Sequence, residues 1–254
     1  MTLTVLGSSR SCDGGGLSYP GCGIIPSTST IRNGQPASYP WMAFLFYPSI
    51  ENGDISFCGA SLISDIQLIT AAHCVSGKTT DEVAVLIGNP NATYDLIKMN
   101  FKYLFKIEIP PFYRNYYQHD PDVAVLTLEE PLLLNYKITP ICLPSIDDAI
   151  KTYDGVTATV AGWGNTQTRR TSTHVTSTDQ LLKVDVPVLS NRECQEFYRW
   201  IKRFSMYTSS KIHGLIFSFH LCTHEPETRS GHCQGDSGGP LFLLDDDNRG
   251  ESKI

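Results

Sequence analysis

The segment Gly235-Asp236-Ser237-Gly238-Gly239-Pro240 sets a serine between glycines, so it can occupy a tight turn with its hydroxyl exposed and neighbouring backbone N–H groups facing outward. A serine hydroxyl is nearly inert at neutral pH unless a base takes its proton as it attacks. The turn therefore calls for a histidine elsewhere, oriented by a carboxylate. His73, in Leu68-Ile69-Thr70-Ala71-Ala72-His73-Cys74, is the candidate base, and Asp122, in Asp122-Val123-Ala124-Val125-Leu126, the candidate carboxylate. Asp120 competes for that role, but Asp120-Pro121 reads as a turn, whereas Asp122 opens an alternating run where a strand enters the core. A partly desolvated carboxylate there is best used to accept the proton on one histidine nitrogen and hold the other toward the serine. His119, His174, His213, His220, His224 and His232 lack such a context and read as structural.

The elements that must position these groups are mostly strands. Residues 1–30 are rich in Gly, Ser, Thr and Pro and read as a linker. From Trp41 onward, short aromatic and aliphatic runs recur at Trp41 to Tyr47, Ser56 to Ile63, Val83 to Ile87, Asn100 to Ile109 and Asp122 to Leu128. Turn signals such as Glu51-Asn52-Gly53-Asp54 separate them. Repeated short strands of this kind argue for an all-β barrel or sandwich. Ser190-Asn191-Arg192-Glu193 has the spacing of a helix capping box, and Phe197, Ile201 and Phe204 follow at helical spacing, so a short helix is predicted there.

The chain has 254 residues, 41% of them hydrophobic, which allows a large core. A net charge of -6 recommends neither nucleic acid nor an anionic membrane as partner. Eight cysteines without a CxxC pair fit structural disulfides and an oxidising, extracellular compartment. Asn91-Ala92-Thr93 is a glycosylation sequon in keeping with secretion. No stretch has the apolar length of a membrane-spanning helix, and Met1 to Cys12 lack the pattern of a signal peptide, which suggests an incomplete amino terminus.

With these segments in the order His, Asp, Ser, the sequence resembles the chymotrypsin/trypsin-like serine proteases over roughly residues 22 to 244. The resemblance implies two six-stranded antiparallel β-barrels, the first about 31–145 and the second about 146–254, with the site in the cleft between them and residues 1–30 as propeptide or linker. It makes Ser237 the nucleophile that attacks a peptide carbonyl, His73 the base and Asp122 its orienting partner, with the backbone N–H groups of Gly235 and Ser237 as the oxyanion hole. Ile31-Arg32-Asn33-Gly34 with Pro40-Trp41 resembles the activation sequence, in which cleavage before Ile31 frees an ammonium that pairs with Asp236. Thr30 departs from the usual Arg or Lys there, which implies an activator that prefers small residues or no activation at all. The implied disulfides are Cys58 with Cys74, Cys22 with Cys142, and Cys194 with Cys222. Ala161-Gly162-Trp163-Gly164 matches a further strand motif.

The position that sets primary specificity in the family is Gly231, followed by His232. Without a carboxylate there, a cationic side chain would lack a partner, so apolar or small residues are the expected preference over Arg and Lys. Asn165 to Asp179 corresponds to an exposed loop, with Arg169-Arg170 as a nicking point, and Lys211 to Phe219 looks inserted. His220-x-Cys222-x-His224 with His232-Cys233 matches no standard zinc spacing, and both cysteines belong to the family's bridge pattern. Neither a metal nor another cofactor is expected, and Asp95, the one carboxylate near the stretch after Gly88, argues against a calcium site. The sequence ends before the family's closing strands and helix, so the second barrel is expected to be incomplete, with Cys12 and Cys233 unassigned. The expected protein is a secreted monomeric endopeptidase that acts on proteins or peptides and meets protease inhibitors. The alternative is a protease-like binding or regulatory protein that does not cleave.

Overall fold

The computed structural model describes residues 19–25, 35–47, 56–89, 91, 101–113, 121–149, 151–164, 180–204, 220–224 and 235–244. Its first sheet has six antiparallel strands: β2 (Met42–Tyr47), β3 (Ser56–Leu62), β4 (Gln67–Thr70), β5 (Ala84–Ile87), β6 (Leu104–Glu108) and β7 (Ala124–Leu128), in the order β5-β2-β3-β4-β7-β6. Just before β6, Lys102 exchanges reciprocal backbone hydrogen bonds with Val85 of β5 (2.7 and 3.1 Å), so the sheet is curled and its two ends approach each other.

The second curled sheet has five strands: β1 (Gln35–Pro36), β8 (Thr157–Gly162), β9 (Leu182–Leu189), β10 (Cys222–Thr223) and β11 (Leu241–Phe242). β9 is its centre and pairs with β8 over Thr157↔Pro187 to Gly162↔Leu182. Alternation explains its placement. Val186 and Val188 turn into a small core with Ala158, Val160 and Leu241, whereas Asp185 accepts a hydrogen bond from the Thr159 hydroxyl (2.7 Å) on the other face.

The main core is continuous across both sheets. Trp163, Leu181, Ala161 and Phe242 of the second pack with Trp41, Phe44, Leu62 and Leu126 of the first. Phe44 meets Trp163 edge-on at 5.5 Å, and Trp41 meets Phe242 edge-on at 5.4 Å, a geometry in which aromatic pairs add about 0.5–1.5 kcal/mol beyond the area they bury. This shared core fixes the seam where the candidate residues gather.

Among the described residues three disulfides add tethers: Cys22–Cys142, Cys58–Cys74 and Cys194–Cys222. Among the same residues the α-helices are short except one. α1 (Ala72–Val75) is a single turn after β4, α2 (Ile146–Ala149) another, and α3 (Asn191–Phe204) runs for 14 residues. Ser190 and Glu193 cap α3 reciprocally: the Ser190 N–H and hydroxyl donate to the Glu193 carboxylate (2.9 and 2.6 Å), and the Glu193 N–H donates back to the hydroxyl (3.2 Å).

Ser145 and buried Asp148 make a similar exchange at α2, and Lys151 pairs with the same carboxylate. The Lys151 ammonium and the Ser145 hydroxyl hold the Asp148 carboxyl down at about 2. A carboxyl depressed in the folded state stabilises fully above its ordinary value and loses that contribution as pH falls through its folded value. Asp148→Asn is therefore expected to lower the urea midpoint clearly at pH 6 and by less at pH 3. An equal loss at both pH values would contradict this account.

Candidate active site

β4 ends at Thr70, and the chain turns at Ala71 into α1. That single turn buries Ala72, Cys74 and Val75 and leaves His73 exposed. Cys74 is pinned to Cys58 on β3, so the histidine stands on a turn that cannot drift from the sheet. Asp122 precedes β7, and β7 pairs with β4 so that Ala124 lies opposite Thr70. Continuing that antiparallel register beyond both strands brings Asp122 alongside α1.

There Asp122 grips His73 at two points. The His73 backbone N–H donates to Oδ1 at 2.8 Å, and ring Nδ1 lies 2.6 Å from Oδ2. A carboxylate accepts only, so Nδ1 carries the proton and Nε2 is left with its lone pair, the form a base requires. Burial pushes the Asp122 carboxyl up, but the hydrogen bonds from the His73 ring and backbone N–H outweigh it and hold the group below its ordinary value. Asp122 is thus anionic at neutral pH. These hydrogen bonds to the carboxylate stabilise the fold fully above the ordinary carboxylate range, and that contribution fades as pH drops through the depressed value.

The serine turn is clamped to the first sheet. The Gly59 N–H on β3 donates to the Ser237 carbonyl at 2.7 Å, and the Gly59 carbonyl accepts from the Thr70 hydroxyl at 2.8 Å. Cys74 Sγ lies 3.7 Å from both His73 Nε2 and the Ser237 carbonyl oxygen, so the histidine and the serine turn share one neighbour. Gly238, at φ +81°, packs so closely that a Cβ would overlap the Thr70 hydroxyl. Downstream, β11 pairs with β8 and fixes the far end of the turn.

Asp236 faces elsewhere. Its Oδ1 accepts the Gly164 N–H at 2.6 Å, and its carboxylate fills the space that a Cβ on Gly162 or Gly164 would need. Gly235 lies against the Phe57 ring, which occupies its own missing Cβ position. His73, Asp122 and the Ser237 turn are therefore brought together, while Asp236 is held by the second sheet. Ile31, Gly231, His232, Cys12, Cys233, Asp95, Asp120, Arg169-Arg170 and the stretch 211–219 lie outside the described residues.

Cys58, His73 and Cys74 bring potential metal donors within 4.8 Å of one another, but both sulfurs are consumed by the disulfide and offer no thiolate. The same holds for Cys222, which is bonded to Cys194, while the His224 ring lies 4.7 Å from that of Phe197. Sequence reasoning missed Thr70 and Gly59 as parts of the site. For Thr70 the available signal was a hydroxyl set between the apolar pairs Leu68-Ile69 and Ala71-Ala72.

A family model described as Trypsin matches residues 29–250. Among curated proteins, the clotting factor G beta subunit of Tachypleus tridentatus is 27% identical over 235 residues, covering 89% of this chain and 70% of its own length. The venom serine protease Bi-VSP of Bombus ignitus is 30% identical over 241 residues, 89% of this chain and 61% of its own. Serine protease 7 of Drosophila melanogaster is 31% identical over 242 residues, 89% of this chain and 57% of its own. With the six-stranded and five-stranded curled sheets sharing one core, and a match that runs through all but the first residues and the last few, the chain belongs to the trypsin family of serine proteases.

Proposed function

We propose that the protein is a secreted endopeptidase that cleaves peptide bonds through an acyl-enzyme, with Ser237 as nucleophile, His73 as general base and Asp122 as its orienting partner. The observation that carries this reading is the two-point grip of Asp122 on His73, which fixes both ring orientation and tautomer. Ser237 Oγ attacks the carbonyl carbon as its proton passes to His73 Nε2. The same proton then goes to the leaving amine as the C–N bond breaks, and water repeats the sequence to release the acid. The N–H groups of Gly235 and Ser237 receive the oxyanion, where the loss of one donor typically costs about 3–4 kcal/mol of barrier.

Asp236 serves as a switch and not as a catalyst. Its carboxylate already accepts the Gly164 N–H, and an ammonium freed at Ile31 adds a cation to that site. Cleavage there leaves residues 1–30 attached through Cys22–Cys142. Peptides with apolar or small residues before the cut are the preferred substrates, because Gly231 offers no carboxylate to a cation.

The test is to replace residues 26–30 with the enteropeptidase site Asp-Asp-Asp-Asp-Lys, free Ile31 with enteropeptidase, remove that protease, and profile cleavage of a peptide library by mass spectrometry. Cuts after apolar or small residues are expected. Cuts confined to Arg and Lys would overturn the specificity, and a folded, correctly cleaved chain that cuts nothing would favour the binding or regulatory alternative.

A further inference from the structure

Thr70 is fully buried, yet it ends a strand with its hydroxyl committed to a main-chain carbonyl on a neighbouring strand. β4 pairs with β3 only at Ile69↔Ser61 and Leu68↔Leu62, so the ladder stops one residue short of Thr70. Beyond that point the main chain of Gly59 is engaged by two other groups: the Thr70 hydroxyl on its carbonyl and the Ser237 carbonyl on its N–H. Thr70 also lies opposite Ala124, two residues past Asp122, and stands three residues before His73. Thr70 therefore ends the strand that leads to the base, pairs through its backbone with the strand that follows the carboxylate, and through its hydroxyl holds the β3 residue that binds the serine turn. The close approach of Gly238 to the Thr70 hydroxyl makes the fit tight on the serine side as well.

We propose that Thr70 is a positioning residue that sets the distance between Ser237 and the His73–Asp122 pair, through the chain Thr70 hydroxyl, Gly59 carbonyl, Gly59 N–H and Ser237 carbonyl. This inference rests on the serine-protease reading above. Without the hydroxyl, a buried carbonyl on β3 loses its donor. Gly59 then turns to recover one, and the serine turn moves with it. A misplacement of about 1 Å between nucleophile and base costs on the order of 10²-fold in rate.

The test uses the full chain freed before Ile31 and measures the rate at which an aryl fluorophosphonate phosphonylates Ser237, well below the melting temperature of each variant. In that step Ser237 Oγ bonds to phosphorus, fluoride departs and the proton passes to His73. Thr70→Val keeps the shape and removes the donor, and a rate about 10- to 100-fold below the parent is expected. Thr70→Ser restores the donor and is expected to recover the rate to within a few-fold while keeping any loss in melting temperature caused by the missing methyl. A purely structural role would lower both melting temperatures and leave the rate per folded molecule unchanged, which would overturn the proposal, as would a Thr70→Ser rate as low as that of Thr70→Val. Should Thr70→Val not fold, Thr70→Ala takes its place with the same two outcomes. A parent chain that takes no label at all sinks the serine-protease reading, and this proposal with it.

Discussion

Asp122→Asn is expected to lower kcat/KM for peptide hydrolysis about 10⁴-fold, the size of loss that the same exchange causes in chymotrypsin-like triads. The physical reason lies in the two-point grip. Asp122 only accepts, from the His73 backbone N–H at 2.8 Å and from ring Nδ1 at 2.6 Å. An asparagine keeps one acceptor oxygen and gains an NH₂. If the oxygen stays on the backbone N–H, the NH₂ faces Nδ1 and forces the proton to Nε2, so the histidine no longer has a lone pair to offer the serine. Because the exchange preserves volume, the fold survives, and the loss appears in kcat with little change in KM. Asp120→Asn is expected to leave kcat/KM within a few-fold. Steady-state kinetics on the two variants separate the assignments, and a larger loss at Asp120 would overturn that of Asp122.

Gly238→Ala carries the second large effect, and it acts on stability and activity together. At φ +81° a non-glycine residue pays about 1–2 kcal/mol for the left-handed conformation alone. The added Cβ would also lie 2.5 Å from the Gly59 carbonyl and 3.1 Å from the Ala71 N–H, besides overlapping the Thr70 hydroxyl. Two of those neighbours are backbone, so the clash cannot be relieved by a rotamer change, and the serine turn itself must lift from β3. A total loss of about 3 kcal/mol or more is expected in urea unfolding, with hydrolysis falling below detection. Gly77→Ala provides the control: its φ is +77°, but nothing lies within 4 Å of the added Cβ. Only the conformational cost of about 1–2 kcal/mol should appear there, with activity per folded molecule retained. Equal losses at the two glycines would show that the packing of Gly238 against β3 is not what holds the turn.

The first sheet was largely legible because its central strands are apolar and buried along most of their length. Met42–Tyr47, Ser56–Leu62 and Ala84–Ile87 fall within the predicted runs, and the Ser190/Glu193 box opens α3. β6 starts at Leu104, later than the predicted Asn100, because Lys102 bonds to Val85 and the register shifts between Leu104 and Lys106. β9 escaped notice although it is the centre of the second sheet. Lys183, Asp185 and Pro187 interrupt its apolar pattern, and the first two are accommodated because Asp185 accepts from Thr159 across the ladder and pairs with the ammonium of buried Lys183 at 3.5 Å. α1 and α2 are single turns, too short for any periodicity to show. In the site, the types and order of His73, Asp122 and Ser237 could be read directly. The distances among them could not, because they depend on the β4–β7 register and on Gly59 and Thr70, whose roles are set by packing across strands distant in sequence.

The most direct test of the central claim is to label the folded chain, cut before Ile31, with an aryl fluorophosphonate and locate the adduct by peptide mass spectrometry. A single adduct on Ser237 is predicted, absent in Ser237→Ala and slowed at least about 10²-fold in His73→Ala, which removes the base. A folded, correctly cut chain that takes no adduct, or one whose labelling survives Ser237→Ala, would contradict the assignment of Ser237 as nucleophile and His73 as its base.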